Sequence, residues 1–249
     1  MFLSPLEQFQ IFTLKSVALG PLDFSVTNAV LSTLLGLSFL FFVVKRIFDF
    51  NLSFVPNRWQ IFGENLYHVV SDLINNNTGK KGQKYFPFIF TLFTLLLFFN
   101  ASGLTPYSFT ITSHLSQTLF LALTVFVGTV YICFTQHGSN MLSVFLPGGT
   151  PLALAFLLVP IEMVSYVFKP LSLSVRLFAN MMAGHTLLKV IAGFAWSMLS
   201  LEGWFSMAYL LPLLILVILY FLELAVALIQ AYVFTVLSCI YINDAITLH

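Results

Sequence analysis

Seven polar side chains stand in stretches that otherwise suit a lipid bilayer: Glu162, Arg176, Asn180, His185, Glu223, Gln230 and Asp244. Arg176 is the sharpest, set within residues 171–190, LSLSVRLFANMMAGHTLLKV. Its guanidinium keeps its charge at any physiological pH and costs about 2.5–3.5 kcal/mol at the bilayer centre on insertion scales. An intramembrane cation therefore demands compensation and marks a functional site. Glu162, His185, Glu223 and Asp244 are of the types that take up and release protons, and buried in a membrane they form relays. Each residue also has a plainer reading. Arg176 serves as a structural cation paired with Glu223 or locked to Gln230 and Asn180, and His185 as a hydrogen-bonded core residue. Ala179, Ala183, Gly184, Ala225 and Ala227 serve close helix packing.

The elements that hold these groups follow from composition. Of 249 residues, 59% are hydrophobic and 8% charged, against about 25% charged in an average soluble domain. The chain cannot cover a water-facing surface and is read as an all-α integral membrane protein, its apolar runs being too long and too continuous for barrel strands. Residues 26–44, 86–104 and 115–134 are charge-free runs long enough to span about 30 Å of hydrocarbon. Between the first two lie Lys45, Arg46, Arg58, Lys80, Lys81 and Lys84, six of the ten Lys and Arg. That loop is expected on the matrix or cytoplasmic side, with the amino terminus opposite. Inside it, residues 57–75 carry Trp59, Phe62, Leu66, Val69, Val70 and Leu73 at helical spacing. They predict an amphipathic helix on the membrane surface or against a partner subunit. Residues 1–20 hold Glu7 and a single cation, Lys15, which fits neither a secretory signal nor a transit peptide.

After Pro147-Gly148-Gly149-Thr150-Pro151 the chain is apolar nearly to its end, with a turn signal at Leu201-Glu202-Gly203. Residues 152–200 and 205–248 are read as two long helices. Residues 213–249 alone would measure about 55 Å as one helix, too long to stand upright, so both helices are expected to tilt strongly and to form an antiparallel hairpin. Folding the chain near residue 203 brings Arg176 level with Gln230 and Glu162 level with Asp244. His185 and Glu223 meet one residue further along. His185 with Glu223 then lies about 13 Å from Arg176 along the helix, and Glu162 with Asp244 about 20 Å beyond it. Nine residues at 100° put His185 on the face opposite Arg176. Two titratable clusters, each wetted from one side, are thus divided by a fixed cation that blocks direct proton leakage.

Other chemistries find little support. A haem protein needs paired axial histidines, yet of His68, His114, His137, His185 and His249 only His185 lies well inside a span. No internal repeat suggests a secondary transporter. No phosphate loop, metal motif or nucleophile constellation suggests an enzyme, and no cofactor or metal is expected. A net charge of +1 without a basic tract argues against nucleic acid. Cys133 and Cys239 read as buried small hydrophobes. The competing assignment is a proton-conducting or cofactor-poor subunit of a respiratory-chain complex, or a transporter.

The stretch Leu171-Ser172-Leu173-Ser174-Val175-Arg176-Leu177-Phe178-Ala179-Asn180, followed by Ala183-Gly184-His185, resembles the signature of subunit a of rotary F-type ATP synthases. The resemblance extends to Ser4-Pro5-Leu6-Glu7-Gln8-Phe9, Pro106-Tyr107-Ser108-Phe109, Gly149-Thr150-Pro151-Leu152, Glu223 with Gln230, and Asp244-Ala245 to Leu248-His249. His185 with Glu223 is similar to the mitochondrial arrangement, bacterial members usually carrying the two types exchanged, and the amino terminus looks fungal. The resemblance implies a non-catalytic membrane stator beside a ring of c subunits and other membrane and peripheral-stalk subunits, in the mitochondrial inner membrane. The amino terminus would face the intermembrane space and the carboxyl terminus the matrix. Arg176 would oppose a deprotonated ring carboxylate, supported by Asn180 and Gln230. Protons would enter past His185 and Glu223 and leave past Glu162 and Asp244.

Overall fold

The computed structural model describes residues 4, 6–16, 18–19, 22–23, 25–48, 57–105, 108–138, 152–200 and 209–247. Those residues are overwhelmingly helical: α1 Asn28–Phe48, α2 Arg58–Gly82, α3 Phe86–Gly103, α4 Leu115–His137, α5 Leu152–Leu199 and α6 Leu210–Ile246. Among the described residues, five helical stretches are long and apolar enough to cross a membrane: Asn28–Arg46, Arg58–Gly103, Leu115–His137, Phe156–Leu199 and Leu210–Ile246. Their large apolar side chains face outward, Phe156 87%, Trp196 75% and Leu211 70% exposed, which an aqueous surface would not tolerate. The breaker at residues 147–151 and the turn signal at residues 201–203 lie outside the described residues, as do Pro5, Pro106, Tyr107, Leu248 and His249.

The first span begins later than the apolar run suggests. Val26–Thr27 is a strand, β4, paired antiparallel with β1, Thr13–Lys15. Between them β2, Ala18–Leu19, pairs with β3, Leu22–Asp23. Thr27 and Asn28 make the change of structure. Thr27 Oγ1 accepts the Val30 N–H at 3.4 Å, covering a donor that a helix start leaves without an intrahelical partner. Asn28 Nδ2 donates to the Gln10 carbonyl and its Oδ1 accepts the Phe12 N–H, tying the amino-terminal segment to α1.

The amphipathic helix expected over residues 57–75 begins at its Asn57 cap, whose side chain accepts the Arg58 N–H at 2.7 Å. It runs on to Gly82 because nothing at 75 stops it. Asn77 Nδ2 and Thr78 Oγ1 donate back to the Leu73 and Ile74 carbonyls, and the break comes at Gly79, whose φ of +62° suits a residue without Cβ. Only the later part of the apolar stripe is buried within the chain, at Val70, Leu73 and Ile74; Trp59, Phe62 and Val69 are exposed.

The chain divides into two compact units. The first comprises Met1–Phe42, Leu95–His114 and Leu177–Ala231; the second comprises Val43–Thr94, Leu115–Arg176 and Tyr232–His249. In the first, Leu104, Met181 and Ala227 join α3, α5 and α6 in a buried cluster. In the second, Phe126 packs on Tyr166 with ring centroids 5.0 Å apart, and His137 Nε2–H donates to the Ile246 carbonyl at 3.2 Å, satisfying the last turn of α6. Cys133 and Cys239 are free and buried.

Candidate functional site

In the first unit, α5 and α6 bring His185 and Glu223 together, Nε2 to Oε1 at 3.7 Å. Glu223 is 4% exposed, so the carboxyl is held away from solvent with one titratable neighbour. Gly184 creates the room: a Cβ there would meet Glu223 Oε1 at 2.6 Å. The carboxyl head is the mobile end of the contact, so Gly184→Ala displaces it rather than the helices. Gly184→Ala is therefore expected to lengthen the 3.7 Å His185–Glu223 contact while leaving the two helices in place, which a structure of the variant checks.

Thr110 approaches the same nitrogen, its hydroxyl 3.3 Å from His185 Nε2, and Phe9 packs edge-on to the imidazole. An open cavity of about 720 Å³ leads to this point, its lining including Gln8, Thr110, His185, Lys189 and Tyr220. Phe109 also lines it and stacks on His114, whose burial pushes the imidazole below the usual histidine range and favours its neutral form. Deeper in the same unit, Asn180 Nδ2 donates to Gln230 Oε1 at 2.9 Å, so these two residues bond each other.

Arg176 belongs to the second unit. Its side chain is exposed and makes no hydrogen bond or ion pair among the described residues.

Asp244 departs from the expected register. Its partner is Lys169, Nζ to Oδ2 at 3.3 Å, and no hydrogen bond or ion pair joins it to Glu162 among the described residues. The ammonium lies 5.6 Å from the Tyr166 ring centroid and 5.2 Å from that of Tyr241, a cation held by two aromatic faces. Lys169 reaches Asp244 on a flexible four-carbon stem, so level matching by backbone rise alone misses it. Below the pair is a cavity of about 50 Å³ bounded by Thr129, Cys133 and Pro170 among others. Glu162 is half-buried on α5.

Thr110, Tyr166, Tyr241 and Asn100 have no role assigned from the sequence. An Asn in an otherwise apolar span is itself a signal, since its amide must find partners. For the aromatic residues no such signal exists.

Long apolar helices that bury an acid beside a histidine and expose an arginine define a polytopic helical membrane protein built around titratable groups. The family model described as ATP synthase A chain matches residues 26–243, and the chain belongs to that family. It is 60% identical over 249 residues, the whole of both chains, to "ATP synthase subunit a" of Pylaiella littoralis. It is 48% identical to "ATP synthase subunit a" of Chondrus crispus, covering 99% of this chain and 97% of that one. The protein of the same name from Marchantia polymorpha is 48% identical over 100% of each chain.

Proposed function

We propose that this chain is the proton-translocating stator subunit of the membrane sector of an ATP synthase, in the mitochondrial inner membrane. The observation that carries the proposal is Arg176: a permanent charge on α5, exposed, with no ion pair among the described residues, in a chain of the ATP synthase A chain family. Such a charge in a membrane needs a counter-charge from outside the chain, and a ring of c subunits with lipid-embedded carboxylates supplies one. A deprotonated ring carboxylate stays opposite Arg176, while a protonated one is neutral and free to turn into lipid. Rotation follows from where protons bind and leave.

His185 and Glu223 form the inlet, reached by water through the cavity beside Thr110. Glu162 and Asp244 form the outlet, with Asn180 and Gln230 as neutral hydrogen-bonding neighbours of the arginine. α5 and α6 form a strongly tilted antiparallel hairpin against the ring, and residues 57–75 lie on the matrix surface, where other membrane and peripheral-stalk subunits would anchor the chain. The amino terminus faces the intermembrane space and the carboxyl terminus the matrix. One charge crossing 100 mV carries about 2.3 kcal/mol, which biases the direction of turning. Nucleotide chemistry belongs to other subunits.

The outlet assignment is tested by Glu162→Gln combined with Asp244→Asn. With both carboxylates neutral, proton flux under an imposed potential is expected to fall by about tenfold or more, the complex remaining assembled. Parent-level flux in the assembled double variant would remove these residues from the path.

A further inference from the structure

Glu162, Lys169 and Arg176 stand seven residues apart on α5, and seven steps of about 100° come close to two full turns, so the three share one face. Lys169 is about 10.5 Å from Arg176 along the helix and Glu162 about 21 Å. The Lys169 ammonium is not free on that face. It lies 3.3 Å from Asp244 Oδ2, with the ring centroids of Tyr166 and Tyr241 at 5.6 and 5.2 Å. The side chains of the ion pair are 33% and 47% exposed, and a pair that open holds weakly by itself. Two aromatic faces add to the hold on the ammonium.

The charges nearby give that clamp a purpose. Among the described residues of this unit, α5 and α6 carry two acids, Glu162 and Asp244. Glu162 is two turns further from Arg176 than Lys169 is. Asp244 is closer in effect, since it and Arg176 both act electrostatically on the Tyr241 hydroxyl. A carboxylate left without a partner there would turn to an available cation, and Arg176 makes no ion pair among the described residues. We propose that Lys169, held by Tyr166 and Tyr241, keeps Asp244 as its own partner, so that Asp244 does not neutralise Arg176 and the guanidinium stays free for a carboxylate outside the chain. Lys169 is thus a positioning residue that acts through the place of the Asp244 carboxylate. The effect is one of population: an Arg176 occupied by Asp244 for about nine-tenths of the time serves another partner about tenfold less well. The inference rests on the role proposed for Arg176.

The competing role is a brace, in which the ion pair merely ties α5 to α6. The two roles differ in what happens when the second charge is also removed. Coupled ATP synthesis is measured in proteoliposomes holding the assembled complex with Lys169→Met, Asp244→Asn, both together, or Lys169→Arg. Lys169→Met releases a competing carboxylate and is expected to lower synthesis about tenfold. Asp244→Asn leaves Glu162 in place and is expected to cost about threefold, and the double variant should recover to that level because no competitor remains. Lys169→Arg, whose planar cation also stacks on aromatic faces, should lose less than Lys169→Met. A brace predicts a double variant no better than Lys169→Met. That result, or parent-level synthesis in assembled Lys169→Met, overturns the proposal. If Lys169→Met does not assemble, Lys169→Gln takes its place, and failure of both to assemble establishes the brace and likewise overturns it. Normal synthesis in assembled Arg176→Ala refutes the role of Arg176 itself, whereas failure of Arg176→Ala with unaffected Lys169→Met refutes only the clamp.

Discussion

Arg176→Ala is expected to abolish coupled ATP synthesis while leaving the complex assembled. The side chain is exposed on α5 and makes no hydrogen bond or ion pair among the described residues, so its removal breaks nothing that holds the chain together. In the proposed function, what it removes is the counter-charge for a deprotonated carboxylate in a poorly solvated place. Stranding one buried charge costs about 3–5 kcal/mol, which is a factor of at least about a hundred in any step that passes through that state. Arg176→Lys should fail as well, since a point charge on a flexible stem does not reproduce a planar fork that faces a carboxylate with two donors. Synthesis rates in proteoliposomes, with assembly checked by the retained subunit set, decide it. Normal synthesis in assembled Arg176→Ala would reject the role.

The second large effect belongs to the pair at the other end. Glu223→Gln keeps shape and much of the hydrogen-bonding capacity but cannot accept and pass a proton, so flux should fall by about a hundredfold. His185→Ala should slow flux too, because Glu223 then lacks its one titratable neighbour at 3.7 Å. If the two act as one loading site, the double substitution costs less than the sum of the single losses expressed as free energies. Strictly additive losses would show two independent residues, and full flux in Glu223→Gln would leave His185 as a packed core histidine.

Much of this organisation was legible because apolar runs and rare charges are strong signals. The positions of α3 and α4 follow from charge-free length, and His185 and Glu223, which the level matching along the two long helices pairs, lie 3.7 Å apart. Other features were not readable for identifiable reasons. Val26 and Thr27 are as apolar and β-branched as a span start, but they are also good strand formers, and pairing with Thr13–Lys15 claims them before the helix begins. The kink in α2 falls at Gly79, after Asn77 and Thr78 bond back to their own turn, and not at the end of the apolar stripe. Lys169 with Asp244, Thr110 with His185, and Asn100 with Ala227 join residues 75, 75 and 127 apart in sequence. Periodicity carries no information at such separations. Asn100 is nonetheless legible as a polar amide in an apolar helix, where a buried amide must find a partner, as its Nδ2 does in the Ala227 carbonyl.

The most direct test of the central claim is a map of the whole assembled complex at side-chain detail, read at one place: the distance from the Arg176 guanidinium to the nearest carboxylate of a ring subunit. A nitrogen-to-oxygen distance within about 4 Å, or one ordered water between the groups, is the predicted result. An Arg176 whose partners all belong to its own chain or to lipid, with no ring carboxylate within about 6 Å in any rotational state, would contradict it.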